Sequence, residues 1–342
     1  MISPSNILVR ATNWIGDAVM SLPALHAIRA RFPHARITVL AKPWVAELYA
    51  RESFSDRVIL YTSGSLGARL RQGWALRREH FDCAILLQNA FEAALVARLA
   101  GIPRRIGYAR DGRGLLLTDA VPVPRHGELP RHERFYYLEL LRRAGLIEQI
   151  PASDCIRLEG AEAARESGTA AFAALGVHLP VIGLSPGAAY GTAKRWLPDR
   201  FAEAAARVAS SIDASVAVFG SASERPLCET VAQAISAAGR PAVNLAGRTS
   251  LKEFIDLAAA CRLYLTNDSG AMHIASALGV PTVAVFGATD DTTTGPTGPL
   301  ARIVREPVDC SPCLLRECPI DHRCMTRISA GRVAQVAAEL LK

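Results

Sequence analysis

Three segments of this 342-residue sequence combine residue types and spacings that could do chemistry. In the first, Asp17 follows Gly16 at a strand-to-helix turn. A carboxylate there can take the proton of a hydroxyl nucleophile as general base, although helix capping would use the same residue. The second is the loop Ser185-Pro-Gly-Ala-Ala-Tyr-Gly-Thr-Ala-Lys-Arg-Trp-Leu-Pro198. Its glycines, Gly187 among them, let backbone amides approach an anion, and Lys194 with Arg195 supplies neutralising charge. It reads as a diphosphate cradle. The P-loop spacing is absent, and an ordinary Gly-Pro surface loop with two cations is the alternative. The third is Asn267-Asp-Ser-Gly-Ala-Met-His273, which follows a strand and enters a helix. The amides of Ser269, Gly270 and Ala271 would face a phosphate with the helix dipole behind them, and Asp268 could accept hydrogen bonds from sugar hydroxyls. An Asp-Ser cap and a packing role for His273 are the structural alternatives.

The elements that must position these segments follow an alternating pattern. Asn6 to Arg10 and Arg36 to Leu40 read as strands around an amphipathic helix that runs to about Arg31, with Pro23 expected to separate its first turn from a main helix starting near Ser21. Val58 to Tyr61 and Cys83 to Leu87 are further strands, and Leu66 to Glu79 and Ala90 to Ala100 are helices. Arg104 to His132, rich in Arg and His, reads as an irregular binding loop. The opening then recurs: strand Val181 to Ser185, helix Asp199 to Ser210, strand Ser215 to Phe219. Ser250-Leu-Lys-Glu253 is a capping box before the strand Arg262 to Thr266, and Thr282 to Gly287 is another strand. Two Rossmann-like α/β domains are expected, residues 1–160 and 161–325, with a helix over 326–342 that crosses back to the first. All three segments then lie where an open parallel sheet places its ligand.

Half of the residues are hydrophobic, which suits a globular enzyme. The N-terminus lacks the features of a secretory signal and no apolar run is long enough to span a bilayer, so a cytoplasmic location is expected. Residues 1–150 hold 21 Lys+Arg against 13 Asp+Glu, a surplus of +8, whereas residues 151–342 hold 18 against 19, a balance of −1. The basic half is expected to meet an anionic partner or to be a solvated arginine-rich face. The basic residues lack interleaved aromatics, which argues against nucleic acid.

No Asp-x-Asp pair stands in a strand-end loop, and Asp290-Asp291 looks like a turn. Lys194, Arg195 and helix-end amides could stabilise a departing diphosphate without a divalent metal. Asp17 has no evident companion carboxylate, so glycoside hydrolysis is the weaker reading. Cys310, Cys313, Cys318 and Cys324 crowd into 15 residues, which suggests a structural metal or disulfide cluster. Cys83, Cys155, Cys228 and Cys261 read as inert buried thiols.

At these same residues the chain resembles the glycosyltransferase family that contains the lipopolysaccharide heptosyltransferases. The resemblance rests on Asn13-Trp-Ile-Gly-Asp17 with Ser21-Leu-Pro-Ala-Leu25, Pro186-Gly-Ala with Ala193-Lys-Arg-Trp196, Asn267-Asp-Ser-Gly-Ala-Met-His273, and the cysteine cluster. The first and the Ala-Lys-Arg-Trp segment are closer to the subfamily that adds the second heptose. The resemblance implies a GT-B fold, an ADP-heptose donor, inversion at the anomeric carbon, and a heptose acceptor on the Kdo-lipid A inner core. It implies Asp17 as base, Lys194 near the donor phosphates, and Asp268, Ser269, Gly270 and His273 lining the donor site. Gly187, Tyr190 and Arg195 join that site, and Glu224 and Thr249 are nucleoside contacts by position. Ala189 and Tyr190 depart from relatives that carry hydroxyl residues there, which weakens side-chain phosphate contacts at both.

The first domain would receive the acceptor, with contacts drawn from Asn13, Trp14, Arg104, Arg105, Arg110, Arg113, Arg125 and Arg134. The chain would act as a monomer without a cofactor, at the cytoplasmic face of the inner membrane. Transfer to a different core sugar, a nucleotide-sugar 2-epimerase and a non-catalytic nucleotide-sugar-binding protein are the other readings that the residues admit.

Overall fold

The computed structural model describes residues 4–62, 64–152 and 155–342. The chain divides into two compact units, residues 1–153 and 154–342.

In the first unit, strands β1 (Asn6–Arg10), β2 (Arg36–Ala41), β3 (Arg57–Leu60), β4 (Cys83–Leu86), β5 (Arg104–Tyr108) and β6 (Asp119–Val121) form one sheet in the order β3-β2-β1-β4-β5-β6. Every pairing is parallel, with Val9 opposite both Val39 and Ile85. Helices cover both faces of such a sheet, so its central strands are near-continuous apolar runs, and β4 is buried throughout. Two expectations need correction here. The stretch 104–132 is not irregular, because it contains β5 and β6. Its adjacent arginines hide the strand signal, although Ile106, Gly107 and Tyr108 are buried. Pro23 does not divide the first helix, which runs unbroken over Ile15–Arg31. Burial of Ala18, Val19, Met20 and Leu22 before the proline and Ala24 and Leu25 after it outweighs the roughly 3 kcal/mol that an interior proline costs.

The second unit repeats the plan. Strands β7 (Val181–Ser185), β8 (Ser215–Val218), β9 (Ala242–Asn244), β10 (Leu263–Asn267), β11 (Thr282–Phe286) and β12 (Ala301–Arg305) are arranged β12-β11-β10-β7-β8-β9, again with parallel pairing. Relative to its first strand the order matches that of the first sheet. The direction of winding therefore reverses between β1 and β4 and between β7 and β10, and a crevice opens there at the carboxyl ends of the strands. Both sheets belong to two Rossmann-like α/β units of the GT-B fold class.

The second core gathers Ile182, Trp196, Phe201, Val216, Leu265 and Val283, together with Ala330 and Val333 of the helix Ala330–Leu340. That helix packs its apolar face into this unit. Its 3.6-residue apolar spacing says that it has a buried face but not which core takes it. The expected capping box is present: Ser250 N donates to Glu253 Oε2 at 2.7 Å, and Glu253 N donates to Ser250 Oγ at 3.2 Å.

The helices Ala161–Ala174 and Leu251–Ala259 cross at Gly168, where an added Cβ would lie 1.9 Å from the carbonyl oxygen of Asp256. In an open helix Gly→Ala would stabilise by about 1 kcal/mol. Here Gly168→Ala is expected to destabilise by about 2 kcal/mol or more, the scale of an overpacked contact, read as a lower urea midpoint with an unchanged slope.

Candidate active site

The loops after β7, β10 and β11 meet at the switch point of the second sheet. Lys194 ends a short turn over Thr192–Lys194, and its Nζ donates to Asp268 Oδ2 at 2.6 Å. Thr289 Oγ1 donates to the same oxygen at 2.6 Å. Only 6% of the Asp268 side chain and 14% of that of Lys194 reach solvent, so this is a largely desolvated ion pair. Asn267 knits the two loops around it: its Oδ1 accepts from Trp196 N at 2.9 Å and its Nδ2 donates to Pro186 O at 2.7 Å. Trp196 is buried and anchors the end of the Lys194 loop in the core.

Ser269 precedes the helix Gly270–Ala277 but does not cap it. Its Oγ lies 3.1 Å from Thr266 Oγ1, and the first-turn amides of this helix are groups suited to an anion. His273 is buried in the same helix. Gly187 sits so close to Glu224 that a Cβ would meet Glu224 Oε1 at 2.0 Å. Glu224 Oε2 accepts from Ser221 N at 2.9 Å and from Ser221 Oγ at 2.8 Å, while Oε1 lies 4.0 Å from Arg195 Nη2. Gly247 N donates to Gly220 O at 2.9 Å, which ties the loop after β9 to the loop after β8, and half-buried Thr249 follows two residues later. Gly187, Lys194, Arg195, Glu224, Asp268, Ser269 and Gly270 thus gather along one edge of this unit.

Tyr190 stands beside the lysine. Its hydroxyl donates to Leu314 O at 3.1 Å, and its ring lies 5.0 Å from Lys194 Nζ, so it braces the lysine through its π face. Thr289 was missed by sequence reasoning; it follows β11, so the strand-end rule that selected Asp268 would also have found it. Asp290 accepts from Thr292 N at 3.0 Å and caps the four-residue helix Asp291–Thr294, as the turn reading of this pair anticipates.

In the first unit Asp17 lies half-buried in the first turn of the helix Ile15–Arg31, beyond the carboxyl end of β1. The helix packs against Arg134–Arg143. Burial, then the Asp17 carboxylate, raises the pKa of Glu133, against the opposing pull of Arg110. Burial, Asp17 and Glu133 likewise push the Tyr137 hydroxyl well above its usual range. Glu133, far off in sequence, therefore feels the Asp17 charge. The turn before it is rigid: Arg10 is buried, its guanidinium donates to Asn13 Oδ1 at 2.9 Å, and Trp44 Nε1 donates to Asn13 O at 2.8 Å. Asn13 thus spends two acceptors on Arg10 and Trp44 of its own unit, while Trp14 is 58% exposed.

The arginines expected to meet an acceptor separate into two groups. Arg113 is fully buried, donating to Tyr108 O at 2.9 Å, to Gln88 O, and to Asn89 Oδ1 at 3.0 Å, and burial lowers its pKa to about 10. Arg104 pairs with Asp119 at 3.0 Å, and Arg105 donates to Leu116 O at 2.7 Å. Both start β5, at the end of the sheet opposite Asp17. These three are corrected from acceptor contacts to structural residues. Arg110, exposed beyond the carboxyl end of β5, lies 3.3 Å from the Tyr136 hydroxyl. Arg134 opens its helix with the guanidinium 4.6 Å from the Phe135 ring centre, and Arg125 is exposed, its amide donating to Glu128 Oε2 at 2.9 Å.

All eight cysteines are free thiols. Burial pushes Cys83 and Cys228 up to about 12 and raises Cys261, as inert thiols require, whereas Cys155 is only half-buried. Cys324 is buried and raised to about 11, by burial first and then by Cys310, Cys313 and Cys318.

Two Rossmann-like units, one carrying a carboxylate and the other a cation–carboxylate pair at strand ends, define a glycosyltransferase of GT-B architecture. The chain belongs to glycosyltransferase family 9, the heptosyltransferase family, whose sequence model matches residues 69–323. It is 34% identical over 320 residues to the lipooligosaccharide heptosyltransferase 2 of Haemophilus influenzae, covering 88% of each chain. It is 33% identical over 308 residues to the lipopolysaccharide heptosyltransferase 2 of Escherichia coli, with 87% of each covered. The structure of the E. coli ADP-heptose lipopolysaccharide heptosyltransferase II superposes with a TM-score of 0.82 at 31% identity over 98% of both chains.

Removing one member of a desolvated ion pair strands the other. Lys194→Met is therefore expected to lower unfolding stability by about 3 kcal/mol, and the double change Lys194→Met with Asp268→Asn to recover most of it, in a denaturant double-mutant cycle.

Proposed function

We infer that this protein is an inverting glycosyltransferase that moves L-glycero-D-manno-heptose from ADP-heptose to the first heptose of the Kdo-lipid A inner core. The observation that carries the reading is the position of Asp17: a half-buried carboxylate in the first helical turn beyond β1, with the Glu133 carboxyl as neighbour. The similarity to heptosyltransferases 2 along most of the chain supports the choice of donor and acceptor.

In this mechanism Asp17 takes the proton of the acceptor hydroxyl as its oxygen bonds to the anomeric carbon. The bond from that carbon to the ADP phosphate breaks on the opposite face, and configuration inverts. Lys194 and the first-turn amides of Gly270–Ala277 receive the charge that develops on the departing diphosphate, a role that needs no divalent metal. Glu224 and Thr249 meet the nucleoside. The acceptor's phosphates and carboxylates meet Arg110, Arg125 and Arg134, with Asn13 and Trp14 shaping the floor. Among the described residues no helix is long and apolar enough to cross a membrane. The chain would work as a monomer in the cytoplasm, touching the inner face of the membrane through its acceptor.

Asp17→Asn should abolish heptose transfer to a heptose-terminated core, by about 10³-fold or more as for loss of a general base, while ADP-heptose affinity by calorimetry stays within twofold. Loss of donor binding in this variant would instead place Asp17 in the donor site. Reversing Arg110 and Arg125 to Glu should raise KM for the core acceptor about tenfold and leave donor KM unchanged, with the effect shrinking at high salt. An unaltered acceptor KM would remove both from the acceptor site. Release of free sugar or an epimer from donor alone would favour the epimerase reading.

A further inference from the structure

Residues 306–322 join β12 to the short helix Arg323–Thr326 with no helix or strand of their own. Seventeen such residues are unusual in a compact domain and need something to order them. Apolar packing does little: Val308 packs against the second core, but Leu314, Leu315 and Ile320 are 60%, 44% and 55% exposed. Of the thiols, Cys313 and Cys318 are half-buried and Cys324, in the helix that follows, is buried, while Cys310 is exposed. Gly287 makes room for the last of these, since a Cβ there would lie 2.9 Å from Cys324 Sγ.

The same segment is stapled to both loops that flank the Lys194–Asp268 pair. Ala193 N donates to Arg316 O at 3.0 Å, and His322 Nε2 lies 2.9 Å from Ala193 O, so the residue before Lys194 is held on both sides. Gly191 passes so close that a Cβ would meet Arg316 O at 2.2 Å. On the other side Ser311 Oγ donates to Gly287 O at 2.6 Å and Leu314 N to Ala288 O at 2.8 Å, immediately before Thr289.

We propose that Cys310, Cys313, Cys318 and Cys324 bind one thiophilic transition-metal centre, of zinc or iron, and that this centre braces the Lys194 and Thr289 loops for the donor diphosphate. Four thiols within 15 residues, two of them half-buried and one buried, supply a complete soft ligand set. No three of the sulfurs lie within 4.8 Å of one another, so a single tetrahedral ion would contract the segment, pulling on the Arg316 and Leu314 carbonyls that hold the Lys194 loop and on the Leu314 amide that holds the Thr289 loop. Each ligating thiol releases its proton on binding, so the metal is shed at low pH. The bracing part of the proposal rests on the donor site proposed above; the metal site does not.

The test uses the full chain purified under reducing, oxygen-free conditions, with metal measured by plasma mass spectrometry and ADP affinity by calorimetry. Expected is about one zinc, or a stoichiometric iron centre, per chain. The metal should be lost in the Cys313→Ser, Cys318→Ser double variant and on chelation, and ADP binding should weaken tenfold or more while far-UV circular dichroism stays unchanged. A wild-type chain that carries no metal and takes up neither Zn²⁺ nor Fe²⁺ on titration overturns the site, as does a double variant that keeps its metal. Metal bound with ADP affinity equal before and after chelation overturns the brace. Metal bound with no ADP affinity in either state refutes the donor reading and leaves the metal site standing.

Discussion

Desolvated charge at the switch point of the second sheet is the constraint around which this unit is organised. A carboxylate as enclosed as Asp268 is tolerated only with charge and hydrogen-bond partners in place, and these come from loops after two other strands, Lys194 beyond β7 and Thr289 beyond β11. Because β10 lies between β7 and β11, three successive strand ends deliver the three groups to one point. Asn267 then closes the backbone of the Lys194 loop onto β10, and Trp196 ties the loop end into the core. The arrangement is prepaid: an anion approaching Lys194 meets a cation already fixed by folding rather than one that must be gathered from solution.

Most of the sheet framework and the second-unit site could be read from residue order, because the signals were local. A buried parallel strand is a short apolar run, and the loop behind it carries the chemistry; β1, β7, β10 and β11 all announced themselves in that way. Several short or charge-marked strands did not. β9 has three half-buried residues, and β5, β6 and β12 carry charges that mimic loop composition. Long-range pairing was invisible for the same reason. Nothing near Asp17 in the chain points to Glu133, and only the packing of the helix Ile15–Arg31 on Arg134–Arg143 brings them together.

The arginines make the same point about electrostatics. A count of basic residues in the first half treats Arg113 like Arg110, yet one is a buried strut bonded to the ends of β4 and β5 and the other is solvent-exposed. Arg10 is another strut, and Arg104, Arg142 and Arg143 are in ion pairs. The field that an anionic partner would feel is that of the remainder, so a formal surplus of charge overstates steering while understating how much the guanidinium groups contribute to rigidity.

The outer strands of the two sheets, β3, β6, β9 and β12, are only three to five residues long, and β3, β6 and β12 bear Arg57, Asp119, Arg302 and Arg305. An open row of amides and carbonyls invites a stray strand to extend the ladder, and brevity plus a charged rim denies it both length and a dry landing place. Charged side chains on three of these four short strands leave a stray strand little edge on which to extend the ladder.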